Sequence, residues 1–115
     1  MRKNDWSSKL TSQAEVSLKE MGQQLAKARE RRGFSVAELA RRTGVDRRTI
    51  AQLEQGYPGV SIGVFFQLMS FLNLLPGLSE ALNPENDLEA IQLQLRQLRK
   101  GNRLKKKISK SEVAF

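Results

Sequence analysis

Residues 35–56 read SVAELARRTGVDRRTIAQLEQG, with apolar positions at helical spacing on both sides of a single glycine. Leu39 and Ala40 fall on the inner face of one predicted helix, and Ile50 and Leu53 on that of a second. Ser35 stands where it caps the first helix, with Glu38 three residues on to complete a capping box. Thr43 and Gly44 end that helix, because glycine takes positive φ without steric cost. Val45 fills the corner and Asp46 caps the second helix. The rest of that second helix (Arg47, Arg48, Thr49, Ala51, Gln52 and Gln55) is predicted to be exposed. Arginine and glutamine make paired hydrogen bonds to guanine and adenine edges in the major groove, so this face has the side chains of a DNA reader.

The same reading organises the rest of the chain. Residues 1–10 are predicted to be a flexible N-terminal arm, polar around Trp6 and Leu10. A long helix starts at Thr11 or Ser12, with Ser12 and Glu15 at capping-box spacing. Val16, Met21, Leu25 and Ala28 mark its inner face, and Gly33 ends it. After the turn-rich GYPGV, Ser61 caps a fourth helix, IGVFFQLMSFLNLL, whose apolar residues exceed what one face can hold. Pro76 and Gly77 are expected to break it, leaving residues 78–82 as a short fifth helix. Pro84 begins a linker, Asp87 opens a last amphipathic helix, and the chain is expected to fray after Gly101. The predicted fold is all-α: an arm at 1–10, a helical domain at 11–82, and an amphipathic helix with a basic tail at 83–115.

Residues 21–74, through MGQQLAKARERRGFSVAELARRTGVDRRTIAQLEQG and the apolar helix beyond it, closely resemble the Xre/Cro-type phage-repressor helix-turn-helix domain. Small, apolar, glycine and capping positions agree in register along that whole string. The resemblance implies a compact five-helix, lambda-repressor-like domain whose third helix enters the major groove, usually as a dimer on a pseudo-palindromic operator. It implies DNA contacts from Ser35, Arg41, Arg42, Arg47, Arg48, Thr49, Gln52 and Gln55. It also sets Arg29 and Glu54 at the positions of a structural ion pair; the alternative for Arg29 is contact with phosphate. Many members of the family carry a glutamine just after the cap of helix two, where this chain has Val36.

Charge supports a polyanionic partner. The 115 residues hold 20 Lys and Arg against 12 Asp and Glu, a net charge of +8. Residues 83–115 contribute eight basic and four acidic side chains, so half of the excess sits in that segment. Cysteine and histidine are absent, which leaves no disulfide or Cys/His metal site and fits a reducing cytoplasm, where association with the nucleoid is expected. The N-terminus has no signal-peptide pattern, and no stretch is apolar for long enough to span a membrane. No Gly-rich phosphate loop, histidine-activated nucleophile or carboxylate cluster suggests an enzyme, and no cofactor is expected.

Several residues admit two readings. Arg41 and Arg42 are either phosphate contacts or a solvated surface. The apolar end of the fourth helix is divided between core and a twofold interface, with Phe71, Leu74, Leu75 and Leu78 as the interface candidates. Leu88, Ile91, Leu95 and Leu98 follow 3-4-3 spacing and offer a second seam, too short to stand as a free coiled coil. The basic end is a disordered tail, a phosphate-binding segment, or a tether ending in the apolar Val113, Ala114 and Phe115.

Over residues 11–107 the chain resembles HipB-like antitoxins, on LTSQAEVSLKEMGQQL, RRTIAQLEQG and SFLNLLPGLSEAL followed by an acidic-to-leucine-to-basic tail. That resemblance implies a repressor of its own operon that also binds a HipA-like kinase toxin. A phage- or host-type repressor without a toxin partner is the alternative. The best-known relative continues into a strand after its last helix; the proline, glycine and helix formers of LLPGLSEAL predict none here.

Overall fold

The computed structural model describes residues 8–113, with side chains as far as Lys106. The arm around Trp6 and the terminal residues Ala114 and Phe115 lie outside the described residues. Among the described residues the chain is all-helical and forms no strand. The helices are α1 (Ser12–Arg31), α2 (Val36–Thr43), α3 (Arg47–Glu54), α4 (Ile62–Phe71), α5 (Leu75–Ala81) and, after a 3-10 turn at Pro84–Asn86, α6 (Leu88–Val113). The chain divides into two compact units after Leu75.

Short-range chemistry sets the helix ends. Thr11, not Ser12, caps α1, its Oγ1 accepting from Ala14 N at 3.1 Å. Ser35 Oγ accepts from Glu38 N at 3.1 Å and donates to Glu38 Oε1 at 3.4 Å, so the reciprocal arm of the capping pair runs between side chains. Ser61 Oγ accepts from Val64 N and Asp87 Oδ1 from Ala90 N. Gly33 and Gly44 close α1 and α2 at φ +74 and +76.

One core serves the first unit. Leu25 from α1, Leu39 from α2, Ile50 and Leu53 from α3, and Leu68 and Leu72 around α4 are buried together. Val36, Ala40, Val45, Phe65, Met69, Phe71 and Leu74 pack partly buried around them. Val36, just after the cap of α2, is thus spent on packing. Val16 departs from its expected inner position and is 54% exposed, because helical spacing sets it on the side of α1 away from the buried Gly22, Leu25 and Arg29.

Two boundaries differ from expectation. The fourth helix stops at Phe71, where Leu72 closes it and Asn73 turns out at φ +59; the break precedes Pro76. Pro76 instead lies in the first turn of α5, where its missing N–H costs no helical hydrogen bond, and Gly77 is carried inside that helix. The last helix also runs through Gly101 to Val113 rather than fraying there. One interior glycine costs only about 1 kcal/mol relative to alanine, and the surrounding Leu, Arg and Lys are strong helix formers. The basic tail is therefore helical as far as it is described.

Candidate nucleic-acid interface

α2 and α3 are joined at Gly44 and pack on each other and, through α3, on α1. Asp46 Oδ1 accepts from Arg48 N at 3.2 Å, starting α3 cleanly after the turn. Ile50 and Leu53 are 0% and 5% exposed and fix which side of α3 faces in. Arg47, Arg48 and Gln55 are exposed, while Thr49, Ala51 and Gln52 are half-buried rather than fully exposed. Gln52 is so placed because it sits one residue from the buried Leu53 and its carbonyl receives Tyr57 N at 2.9 Å, closing the chain after the helix.

The approach of α3 to α1 rests on two glycines. A Cβ on Gly22 would come within 2.5 Å of Glu54 O and 2.6 Å of Leu53 O, so only glycine admits the C-terminal turn of α3. Gly56, at φ +82, would bring a Cβ within 2.7 Å of the Lys19 backbone. Arg29 and Glu54 then clasp the same two helices. Arg29 Nε donates to Glu54 Oε2 at 2.7 Å, Nη2 to Glu54 Oε1 at 3.0 Å, and Nη1 to Phe34 O at 2.8 Å. The two side chains are 11% and 12% exposed, and Glu30 lies 3.7 Å from Arg29 on the outer side. Hydrogen bonding to Glu54 raises the Arg29 pKa above its ordinary value despite burial, so the guanidinium stays charged. This clasp sets the angle at which α3 is presented.

Arg41 and Arg42 are exposed at the end of α2. The Arg42 guanidinium lies 5.1 Å over the Phe34 ring, and Phe34 in turn packs on Phe71 at 5.5 Å between centroids. No ion pair among the described residues involves Arg41, Arg42, Arg47 or Arg48, so their charge is turned to the exterior. Ser35 is exposed at the N-terminus of α2.

Chain organisation and this scaffold agree with the comparison to known families. The family model for a helix-turn-helix domain matches residues 20–82, more than half of the chain. The chain belongs to the helix-turn-helix domain family. Neither a curated protein nor a solved structure matches it. The helix-turn-helix match takes in α2 to α5 and most of α1, so the core, the Gly22 contact with α3 and the Arg29–Glu54 clasp all lie within it. Among the described residues no helix is long and apolar enough to cross a membrane.

All four interface candidates are half-buried. Phe71 and Leu74 pack on the core of the first unit, and Leu75 and Leu78 are half-buried on α5. The large apolar side chains most exposed are elsewhere: Ile62 on α4, Leu82, and Leu88, Leu98 and Leu104 on α6. Sequence reasoning passed over Gly22, Phe34 and Arg32. Arg32 Nη2 donates to Leu72 O at 2.9 Å, tying the end of α1 to the end of α4. Only Gly22 left a trace, as a small residue among larger ones on the inner face of α1.

Proposed function

We propose that this helix-turn-helix protein is a sequence-specific transcriptional repressor that reads its operator through α3. The observation that carries the reading is the exposed, unpaired Arg47 and Arg48 in the first turn of a helix whose opposite side is locked into the core. In that reading Arg48 and Gln52, one helical turn apart, contact base edges, with Thr49 and Gln55 beside them. Arg47, Arg41 and Arg42 contact phosphate, and the exposed N-terminus of α2 at Ser35 receives another. The Arg29–Glu54 clasp holds the reading helix in place without touching DNA. The protein acts as a homodimer, since two half-sites one helical turn apart need two copies, and the Phe71, Leu74, Leu75 and Leu78 segment is the proposed interface.

The finer reading is an antitoxin that represses its own operon and binds a HipA-like kinase toxin. What supports it is the resemblance over residues 11–107, including the acidic-to-leucine-to-basic order of the C-terminal segment. Co-expression with the product of an adjacent kinase-like reading frame tests it. A stable complex and relief of growth arrest are expected; no complex and no relief would leave a repressor without a toxin partner.

A further inference from the structure

Because α6 stays helical beyond Gly101, its basic residues acquire a geometry that a disordered tail would not give them. Arg96, Arg99, Lys100, Arg103 and Lys106 stand at relative positions 0, 3, 4, 7 and 10 of one helix. At about 100° per residue these fall within a strip about 120° wide. Lys105 is off the strip, and Lys107 and Lys110 continue the same spacing in the sequence. No acidic residue lies between Glu89 and Glu112. The five side chains are exposed, and no ion pair among the described residues involves them. We propose that this face of α6 is a second DNA-binding element, lying against the phosphate backbone of a duplex irrespective of sequence.

The occupant follows from charge spacing. Ten residues of helix rise about 15 Å, so the strip presents one positive charge about every 3–4 Å along its axis. Duplex DNA presents one negative charge about every 1.7 Å of its helix axis, half of them from each strand, so the two charge densities are of the same order. An uninterrupted, one-sided row of that density matches a continuous polyanion, and three of its five members are arginines, which form paired hydrogen bonds with phosphate oxygens. The inference takes from the proposed function that the protein works on duplex DNA, but it assigns α6 the sequence-independent part of the affinity and α3 the discrimination.

The test uses the full-length protein and a labelled duplex of random sequence, with affinity followed from about 50 to 200 mM salt. Arg99→Gln with Arg103→Gln removes two charges from the strip. A relocated variant adds Gln94→Arg and Gln97→Arg, restoring net charge outside the strip. Each lost phosphate contact lowers the slope of log affinity against log salt by about 0.9, so the first variant should be shallower by about 2. The relocated variant should be equally shallow, with unchanged helicity by circular dichroism. A relocated variant with the wild-type slope would reduce the effect to net charge and overturn the assignment of a face. An unchanged slope in both variants would overturn DNA contact altogether; binding of the wild type, but not the variants, to phosphatidylserine vesicles would then identify a membrane surface instead. Arg48→Ala is run in parallel. If it leaves sequence preference intact while the strip variants behave as expected, the reading of α3 fails and that of α6 stands.

Discussion

Arg29 shows how one side chain can decide between a structural and a binding role. Its three donor groups are engaged by Glu54 and Phe34 O inside the first unit, in a nearly buried bidentate pair. Removing one member strands the other's charge, so Arg29→Met and Glu54→Leu should each cost about 3 kcal/mol in urea unfolding. The double variant should lose clearly less than the sum of the two. If Arg29 contacted phosphate instead, Arg29→Met would also flatten the salt dependence of DNA binding by about one contact; the expected slope is that of the wild type, measured where the variant is folded. Arg42 is the converse case. It stays exposed, but stacking on Phe34 restricts where its guanidinium can reach, and Phe34 is in turn held by Phe71. Phe71→Glu would disturb that column as well as any interface, which makes Leu75 the cleaner position at which to probe assembly.

At the scale of elements, the crossing of α1 and α3 depends on Gly22. Gly22→Ala puts a methyl group into the backbone of Glu54 and should destabilise the domain by about 1–3 kcal/mol, with a lower thermal midpoint and weaker operator binding through a shifted α3. Unaltered stability would mean that the two helices can separate at no cost. Gly101→Ala acts in the other direction. Nothing lies near a Cβ there, so the change should add helical content and stabilise α6 by about 0.5–1 kcal/mol, seen by circular dichroism and amide exchange. These two glycines also mark what the sequence could and could not convey. Caps at Ser35, Asp46, Ser61 and Asp87, the stop at Gly44, and the buried Leu39, Ile50 and Leu53 were legible because each depends on neighbours within one helical turn. Gly22 and the Arg32 link to Leu72 were not, because their reasons arise only when helices distant in sequence cross. The helix break was misplaced for a related reason. Proline signals a boundary strongly, yet it is compatible with either side of one, and here Asn73 takes the turn while Pro76 starts the next helix. Of the proposed DNA-facing set, helix positions were legible but degrees of exposure were not, since Thr49 and Gln52 are half-buried by the packing around α3.

The chain joins a helix-turn-helix domain to a charged C-terminal helix, and its proposed action needs two copies. Leu75→Glu should give a monomer by light scattering that remains helical and binds operator weakly, whereas Leu95→Glu in α6 should remain dimeric. The reverse outcome would place the interface on the Leu88, Ile91, Leu95 and Leu98 seam, where Leu88, Leu95 and Leu98 are exposed in the single chain. The central claim, that α3 reads DNA sequence, is tested most directly by selecting bound duplexes from a random pool with the wild type, Arg48→Ala and Gln52→Ala proteins. The wild type should enrich a pseudo-palindrome with half-sites about 34 Å apart. Each variant should bind that sequence about 1–3 kcal/mol more weakly and lose discrimination at one or two base pairs in each half-site. An enriched sequence and affinity identical for all three proteins would contradict the account.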